Sequence, residues 1–212
     1  MICNICRSDA ASSFKTLDNK TYWSCNVCGC KYLDESYFID LAEEEQRYLE
    51  HNNDIKDKEY RAFLSRLSDP LKEKISHGSN GLDFGCGTGP ALADMLTQDG
   101  FKVALYDPFF FPDEGALSKQ YDFITCTETA EHFYDPFKEF NTINDLLKPG
   151  GWLGVMTSFL TSDGMFENWH YRRDPTHVTF YCEKTFQVIA SQRNWKCEIK
   201  SKDVVLLQKN HD

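Results

Sequence analysis

The fold is decided by one stretch of the sequence, Leu82-Asp83-Phe84-Gly85-Cys86-Gly87-Thr88-Gly89-Pro90. An apolar run over 81–86 indicates a strand, and 90–98 has the pattern of a helix closed by Gly100. Between them lie three alternating glycines, which let the backbone turn tightly and approach a ligand with no Cβ in the way. The N-terminus of the following helix offers free N–H groups to a polar ligand. The stretch therefore predicts a ligand-binding turn between a strand and a helix.

An acidic residue follows at the end of the next predicted strand, 102–106. Asp107 lies about 20 residues after the glycines, which is the spacing of a carboxylate that holds ribose hydroxyls. The simpler alternative is that these are ordinary turn glycines and a strand-end aspartate. Nicotinamide binding is another alternative, but its G-x-G-x-x-G pattern requires a glycine where this sequence has Pro90. The turn, its flanking elements and the spaced acid together favour a ligand that contains ribose.

Beyond this region the chain alternates strand-like and helix-like stretches. We expect strands at 122–127 and 152–157, helices at 136–147 and 183–192, a sharp turn at 148–151, and two last strands within 196–209. This alternation predicts an α/β fold with a mostly parallel sheet covered on both faces.

Three motifs resemble those of the class I S-adenosylmethionine-dependent methyltransferases. The glycine turn is close to that family's L-D-x-G-C-G-x-G, while 121–136 and 146–151 resemble its fourth strand with the following loop and its turn before the fifth strand. The resemblance implies a doubly wound, Rossmann-like sheet that binds S-adenosylmethionine. It departs at 108–120, which is too short for the family's usual helix and strand. The third strand is therefore shortened or missing, and Asp113 and Glu114 are the candidates for contact with adenine.

The resemblance also implies roles for individual residues. The glycine turn would hold the methionine part of the cofactor, Asp107 the ribose, and residues near Thr127 the remaining face. The expected cofactor-binding residues are Asp83, Gly85, Cys86, Gly87, Gly89, Asp107, Thr127 and Glu128.

The nine cysteines are unevenly distributed, and five lie within the first thirty residues. Cys3, Cys6, Cys25 and Cys28 form two C-x2-C pairs with the spacing of a structural zinc site, although iron or a redox dithiol would use the same residues. A closed four-thiolate site has no open coordination position, so we expect it to be structural. Cys30 is left over as a free thiol or an alternative ligand.

The composition divides the chain into three regions. We expect a zinc ribbon over 1–34, a helical linker over 35–77, and a methyltransferase core over 78–212 with a lid insertion near 160–182. Within the linker, Asp69 and Pro70 are predicted to start a new helix, as its N-cap and first residue.

Two clusters supply candidates for chemistry. Glu128, Glu131 and His132 form a string that resembles a divalent-metal site of ubiquinone-pathway and small-RNA O-methyltransferases; otherwise Glu131 and His132 cap a helix and shape the pocket. The second cluster, 169–181, is dense in histidine, aromatic and charged residues, as substrate lids are. His177 and His170 are the preferred general bases there, because imidazole titrates near neutral pH. The alternative for His177 is a bond to the backbone that holds the segment closed.

The whole chain of 212 residues has a formal net charge of −10, which disfavours nucleic acid as a partner. We expect no membrane span and, since 1–7 lacks the features of a secretory signal, a cytoplasmic location. The predicted function is methyl transfer to a small-molecule acceptor. An RNA methyltransferase whose ribbon reads RNA and a non-catalytic scaffold remain alternatives, and the oligomeric state is open.

Overall fold

Strands and helices alternate in the computed structural model, which describes residues 1–50 and 54–211. The strands are β1 (Ala11–Leu17), β2 (Lys20–Cys25), β3 (Lys31–Leu33), β4 (Asn80–Phe84), β5 (Lys102–Tyr106), β6 (Tyr121–Thr127), β7 (Leu147–Met156), β8 (Thr179–Phe180), β9 (Trp195–Ile199) and β10 (Val204–Lys209). The helices are α1 (Leu41–Leu49), α2 (Lys58–Lys72), α3 (Ala91–Gln98), α4 (Pro136–Leu146) and α5 (Glu183–Gln192). None of the described helices is both long and apolar enough to cross a bilayer.

Six strands form the central sheet in the order β5-β4-β6-β7-β10-β9. The first four are parallel to one another, and β10 is antiparallel to both β7 and β9. The predicted α/β fold with a mostly parallel sheet is confirmed. Because β5 and β6 flank β4 on opposite sides, the carboxyl ends of these three strands surround a crevice of the kind in which α/β proteins bind ligands.

The segment between β5 and β6 contains no further strand. Within 108–120 the chain makes an isolated bridge between Asp107 and Phe111 and one 3₁₀ turn, Ala116–Ser118. The expected third strand is thus missing, and β5 forms the edge of the sheet.

Neighbouring residues of the strands point to opposite faces of the sheet, and each face is covered by helices. Phe123 packs with α2 and α3, while Ile124 packs with α4 and α5. The same alternation places Leu206 and Val205 on opposite faces. Both faces are therefore apolar, as the continuous hydrophobic runs of the strands predict.

Helix α2 contradicts one prediction. It begins after the N-cap Asp57 and continues through Pro70 to Lys72, so no new helix starts at Asp69. Pro70 lies in the last turn, where its missing N–H removes only one bond near the end of the helix. Leu64, Leu67 and Leu71 are fully buried against the sheet, and this packing favours one continuous helix over the local Asp-Pro signal.

The boundary of β7 also differs from the prediction. The expected sharp turn at 148–151 lies inside the strand, which begins at Leu147. Tyr121 of β6 pairs with Leu147 and Phe123 pairs with Trp152, so the intervening residues of β7 form a bulge. Gly150 adopts a φ of +79° within it.

A second sheet joins the N-terminal region to the core. Its order is β1-β2-β3-β8, and β8 belongs to the segment 157–182 of the core. Lys31 and Tyr32 of β3 pair with Phe180 and Thr179 of β8. Aromatic side chains from both parts share one cluster, including Tyr22, Phe166 and Phe180. The N-terminal region therefore packs directly on segment 157–182; the predicted limits of ribbon, linker and core stay a prediction.

Candidate active site and cysteine centre

The glycine turn follows β4 at the carboxyl edge of the sheet. Gly85 and Gly87 have φ values of +77° and +63°, the left-handed region that glycine adopts without strain. The N–H groups of Gly85 and Cys86 both donate to the carbonyl of Tyr106 on β5, at 2.8 and 3.2 Å. Pro90 gives α3 no side-chain cap, and the N–H of Ala91 donates to the Gly89 carbonyl at 2.7 Å.

Asp107 lies directly against the glycine turn, as its predicted role requires. One carboxylate oxygen accepts the N–H of Gly87 at 3.0 Å, and the other accepts those of Phe109 and Phe110 at 2.9 and 3.1 Å. The residue is 7% exposed. Asp107 thus joins the turn to the loop that follows β5, and its contact with ribose stays a prediction.

Asp83 is buried beneath the turn, at 4% exposure. Burial raises its pKa to about 6, the Asp107 charge adds to this shift, and a 2.7 Å bond from the Thr125 hydroxyl opposes it. An acidic side chain in such a position destabilises the protein at neutral pH, which indicates a role other than packing.

The loop after β6 completes the crevice. The Thr127 hydroxyl oxygen is buried and has no hydrogen-bond partner among the described residues, so it is available to a bound ligand. The Thr129 hydroxyl donates toward the Gly85 carbonyl at 2.9 Å and ties this loop to the glycine turn. Between them, Glu128 has a φ of +48°, a left-handed backbone conformation that is uncommon for non-glycine residues. The residues expected to bind S-adenosylmethionine fit it on three counts: left-handed glycines, an orphaned hydroxyl and an adjacent acid.

Glu131, His132 and His177 form a compact cluster beside this loop. One ligand atom from each of the three side chains lies within 4.8 Å of the other two. Glu131 is fully buried. Its Oε1 accepts the Tyr171 hydroxyl at 2.5 Å, whereas its Oε2 has no partner in the part of the chain that the structure describes. Glu128 lies outside the cluster but close enough to be affected by it. Burial, followed by the charges of Glu131 and Asp203, raises the pKa of Glu128 to about 9.

Both histidines of the cluster bond to backbone carbonyls through Nδ1. His132 contacts the Thr176 carbonyl at 3.1 Å, and His177 contacts the Tyr171 carbonyl at 2.7 Å. A carbonyl only accepts hydrogen bonds, so each Nδ1 carries a proton, and the lone pair of a neutral ring is then on Nε2. Burial lowers the pKa of His132 to about 4 against the opposing effect of the Glu131 charge. His132 is therefore neutral at physiological pH.

The structure separates the two histidines that were preferred as general bases. His177 belongs to the cluster, and its backbone bond matches the alternative interpretation without excluding the catalytic one. His170 is exposed and lies outside the cluster. Two further neighbours are Tyr171, which the sequence analysis included in the cluster 169–181 without a role of its own, and Tyr48, which it missed. The ring of Tyr48 on α1 lies edge-on to His132 at 5.2 Å, and no sequence pattern linked that helix to the site.

The four paired cysteines of the N-terminal region lie close together in the structure. Cys3, Cys6, Cys25 and Cys28 are buried and mutually within 4.8 Å, with Sγ–Sγ distances of 3.7 Å for Cys3–Cys28 and 3.6 Å for Cys6–Cys25. Cys30 is equally buried, with its Sγ 3.3 Å from that of Cys28. Thiolates bound to one zinc ion at about 2.3 Å fit such spacings.

The two cysteine turns have the same backbone form. Arg7 and Gly29 follow the second cysteine of each pair, with φ values of +58° and +76°. Their N–H groups donate to the carbonyls of Cys3 and Cys25 at 3.0 and 2.8 Å. Arg7 thus adopts the left-handed conformation despite its side chain.

The fold and this site define a class of α/β proteins that bind a nucleoside-containing cofactor at the carboxyl edge of a doubly wound sheet. Residues 48–198 match the family described as "Methyltransferase domain", and the chain therefore belongs to that family. No curated protein is similar enough to count as a relative.

Three solved structures show the similarity in fold. PH0226 protein from Pyrococcus horikoshii OT3 is 18% identical, with a TM-score of 0.54 over 80% of this chain and 99% of that one. An O-methyltransferase family protein from Burkholderia thailandensis is 15% identical, with a TM-score of 0.52 over 80% and 63%. A SAM-dependent methyltransferase from Archaeoglobus fulgidus is 19% identical, with a TM-score of 0.50 over 75% and 77%. At these identities the similarity supports the fold alone.

Proposed function

We propose that this protein transfers a methyl group from S-adenosylmethionine to a hydroxyl group of a small-molecule acceptor. The observation that carries the proposal is the bond from the Thr129 hydroxyl to the Gly85 carbonyl. This bond joins the glycine turn to the loop that leads into the Glu131–His132–His177 cluster. Bound S-adenosylmethionine supplies a methyl group on a positively charged sulfur, which an oxygen can attack once it is held in line.

The cofactor would be held by residues at the ends of β4, β5 and β6. The glycine turn offers backbone N–H groups to its polar end, and Thr127 offers its unpartnered hydroxyl. Asp107 is the residue that we assign to the ribose, in addition to its bonds to the two neighbouring turns.

The Glu131–His132–His177 cluster would hold a divalent cation. One ligand atom from each of the three side chains lies within 4.8 Å of the other two, and Oε2 of Glu131 is unpartnered among the described residues. A cation would be bound by a carboxylate oxygen and by the imidazole nitrogens that do not bond carbonyls. Both Nδ1–H groups already donate to carbonyls, as the outer nitrogens of metal-binding histidines commonly do. A cation bound there lowers the pKa of an acceptor hydroxyl and thereby makes its oxygen more nucleophilic. In this proposed site His177 is the third ligand, whereas the sequence analysis expected Glu128 beside Glu131 and His132.

We assign zinc to Cys3, Cys6, Cys25 and Cys28, with a structural role. Their mutual distances support four-thiolate coordination. Closely spaced cysteines bind metal rather than form disulfides in a reducing compartment such as the cytoplasm. An RNA-reading ribbon is not favoured. Two of its cations, Arg7 and Lys31, are engaged by Asp135 and Asp163.

The test is a calorimetric titration with S-adenosylmethionine and S-adenosylhomocysteine. We expect micromolar binding of both ligands by the wild-type protein. Thr127→Val keeps the shape of the side chain and removes the hydroxyl, so it should weaken binding about 10-fold, the effect of one hydrogen bond. Thr97→Val on α3 removes a hydroxyl that bonds only the Ala93 carbonyl and should leave affinity unchanged. Failure of the folded wild-type protein to bind either ligand would refute the proposed function.

A further inference from the structure

Tyr171 is buried in segment 157–182, and its hydroxyl contacts the cluster. The hydroxyl donates to Oε1 of Glu131 at 2.5 Å. It accepts the Thr157 hydroxyl at 2.9 Å and the N–H of Ser158 at 3.3 Å. A carboxylate oxygen accepts hydrogen bonds, so the single proton of the phenol is directed to Glu131 and the Thr157 hydroxyl is assigned as a donor to the phenol oxygen.

The backbone of the same residue contacts a second member of the cluster. The Tyr171 carbonyl accepts Nδ1–H of His177 at 2.7 Å. The Tyr171 ring also lies 4.2 Å from the imidazole of His177, centroid to centroid. One residue therefore contacts two of the three cluster side chains, through its hydroxyl and through its carbonyl.

We propose that Tyr171 is the positioning residue of the cluster. Its hydroxyl occupies one oxygen of Glu131 and leaves Oε2 free, while its carbonyl fixes the tautomer of His177 that presents Nε2. Such outer partners orient metal-binding side chains and commonly contribute 10- to 100-fold in metal affinity. This inference rests on the proposed cation site, whereas the arrangement of Glu131 and His177 exists without the cation.

The competing role for Tyr171 is packing alone. Its ring contacts Trp169 at 5.1 Å within the aromatic cluster. Phenylalanine keeps that packing and the backbone carbonyl, so Tyr171→Phe removes only the hydroxyl. Tyr181→Phe is the matched control, because Tyr181 is also fully buried and its hydroxyl donates to the nearby Ala130 carbonyl at 2.8 Å. Both variants lose one buried hydroxyl and should show similar falls in melting temperature.

The experiment titrates the zinc-loaded full chain with Mn²⁺, followed by the electron paramagnetic resonance signal of the free ion. In parallel, ¹⁵N-histidine NMR in the absence of Mn²⁺ reports the tautomers of His132 and His177. We expect Tyr171→Phe to weaken Mn²⁺ binding 10- to 100-fold, because Glu131 loses the partner that orients it. Reorientation of Glu131 beside the two imidazoles should shift their Nε2 resonances, whereas their tautomers, which backbone carbonyls fix, should stay the same. Tyr181→Phe should change affinity less than about 3-fold and leave those resonances in place.

The outcomes separate the two proposals. If the wild-type protein does not bind Mn²⁺ but Tyr171→Phe still shifts the histidine resonances, the cation assignment fails and the positioning role stands. Unchanged resonances in Tyr171→Phe, or equal effects of the two variants on affinity and spectra, would overturn the positioning role.

Discussion

At the scale of single residues, Asp83 combines high burial with an acidic side chain. Its folded-state pKa of about 6 lies above the ordinary value of 3.8, so the folded protein binds the proton more tightly than the unfolded chain does. The free energy of unfolding therefore falls as pH rises from about 4 to 6, and the full loss of roughly 3 kcal/mol persists at neutral pH. A protein keeps such a residue where function requires it.

Asp83→Asn should therefore stabilise the protein and weaken cofactor binding. The amide keeps an acceptor for the Thr125 hydroxyl and removes the buried charge. We expect a gain of about 1–3 kcal/mol at pH 7.5 that disappears near pH 4, measured by urea denaturation at both pH values.

Asp122 on β6 provides the control of opposite sign. Burial acts to raise its pKa, but the Lys148 ammonium at 2.7 Å and the N–H of Asn80 outweigh burial and hold the pKa below its usual range. Its charge therefore stabilises the fold above about pH 4 and ceases to do so as the carboxylate is protonated. Asp122→Asn should lose stability at pH 7.5 and approach the wild type in acid; the same trend in both variants would contradict the assigned pKa of Asp83.

At the scale of elements, local sequence patterns predicted the turns, strands and helices whose residues are close together in the sequence. The glycine turn lies between β4 and α3 as predicted, because the strand, the turn and the helix each have their own signal. The Asp69-Pro70 pair misled because packing of Leu64, Leu67 and Leu71 outweighs one lost helix bond. The start of β7 was misplaced because the bulge depends on its pairing with β6.

Segment 157–182 is attached to the N-terminal sheet by a buried arginine. Arg172 donates to the Tyr22 hydroxyl at 3.2 Å, to Asp18 at 3.0 Å and to the Glu167 carbonyl at 3.1 Å. Arg172→Ala removes these bonds and the packing of a long side chain, so it should cost about 2–4 kcal/mol and speed hydrogen exchange in 160–182.

The adjacent Arg173 is exposed and provides the matched control. Arg173→Ala should change stability by less than about 0.5 kcal/mol and leave exchange unaltered. Equal effects of the two substitutions in urea denaturation and mass-spectrometric exchange would show that Arg172 does not fix the segment.

At the scale of the whole molecule, the site depends on contacts that no local pattern contains. The sequence singled out His132 and His177 separately, but only the path of 157–182 across the sheet brings them together. Two backbone hydrogen bonds of Val178 hold this path in place. Its N–H donates to the backbone carbonyl of Glu131, and its own carbonyl accepts the N–H of Leu33. The sequence pattern that resembles a metal site included Glu128, whereas in the structure His177 is the third member of the cluster.

The cysteine centre packs directly against the central sheet and α5. Cys3 and Cys28 share a hydrophobic cluster with Leu82 and Phe84 of β4, and Thr185 of α5 donates to the Cys28 carbonyl at 3.0 Å. Loss of zinc from such a centre should lower the stability of the whole protein rather than release a separate module.

We expect one zinc ion per chain by mass spectrometry and its loss in Cys28→Ser. The melting temperature should then fall by roughly 10 °C or more in a single transition, since several kcal/mol are removed at about 2–4 °C per kcal/mol. Cys197→Ser, on β9 and away from the centre, should keep both the zinc and the melting temperature. Two separate transitions, with the later one unchanged by Cys28→Ser, would mean that the N-terminal region unfolds on its own and does not support the site.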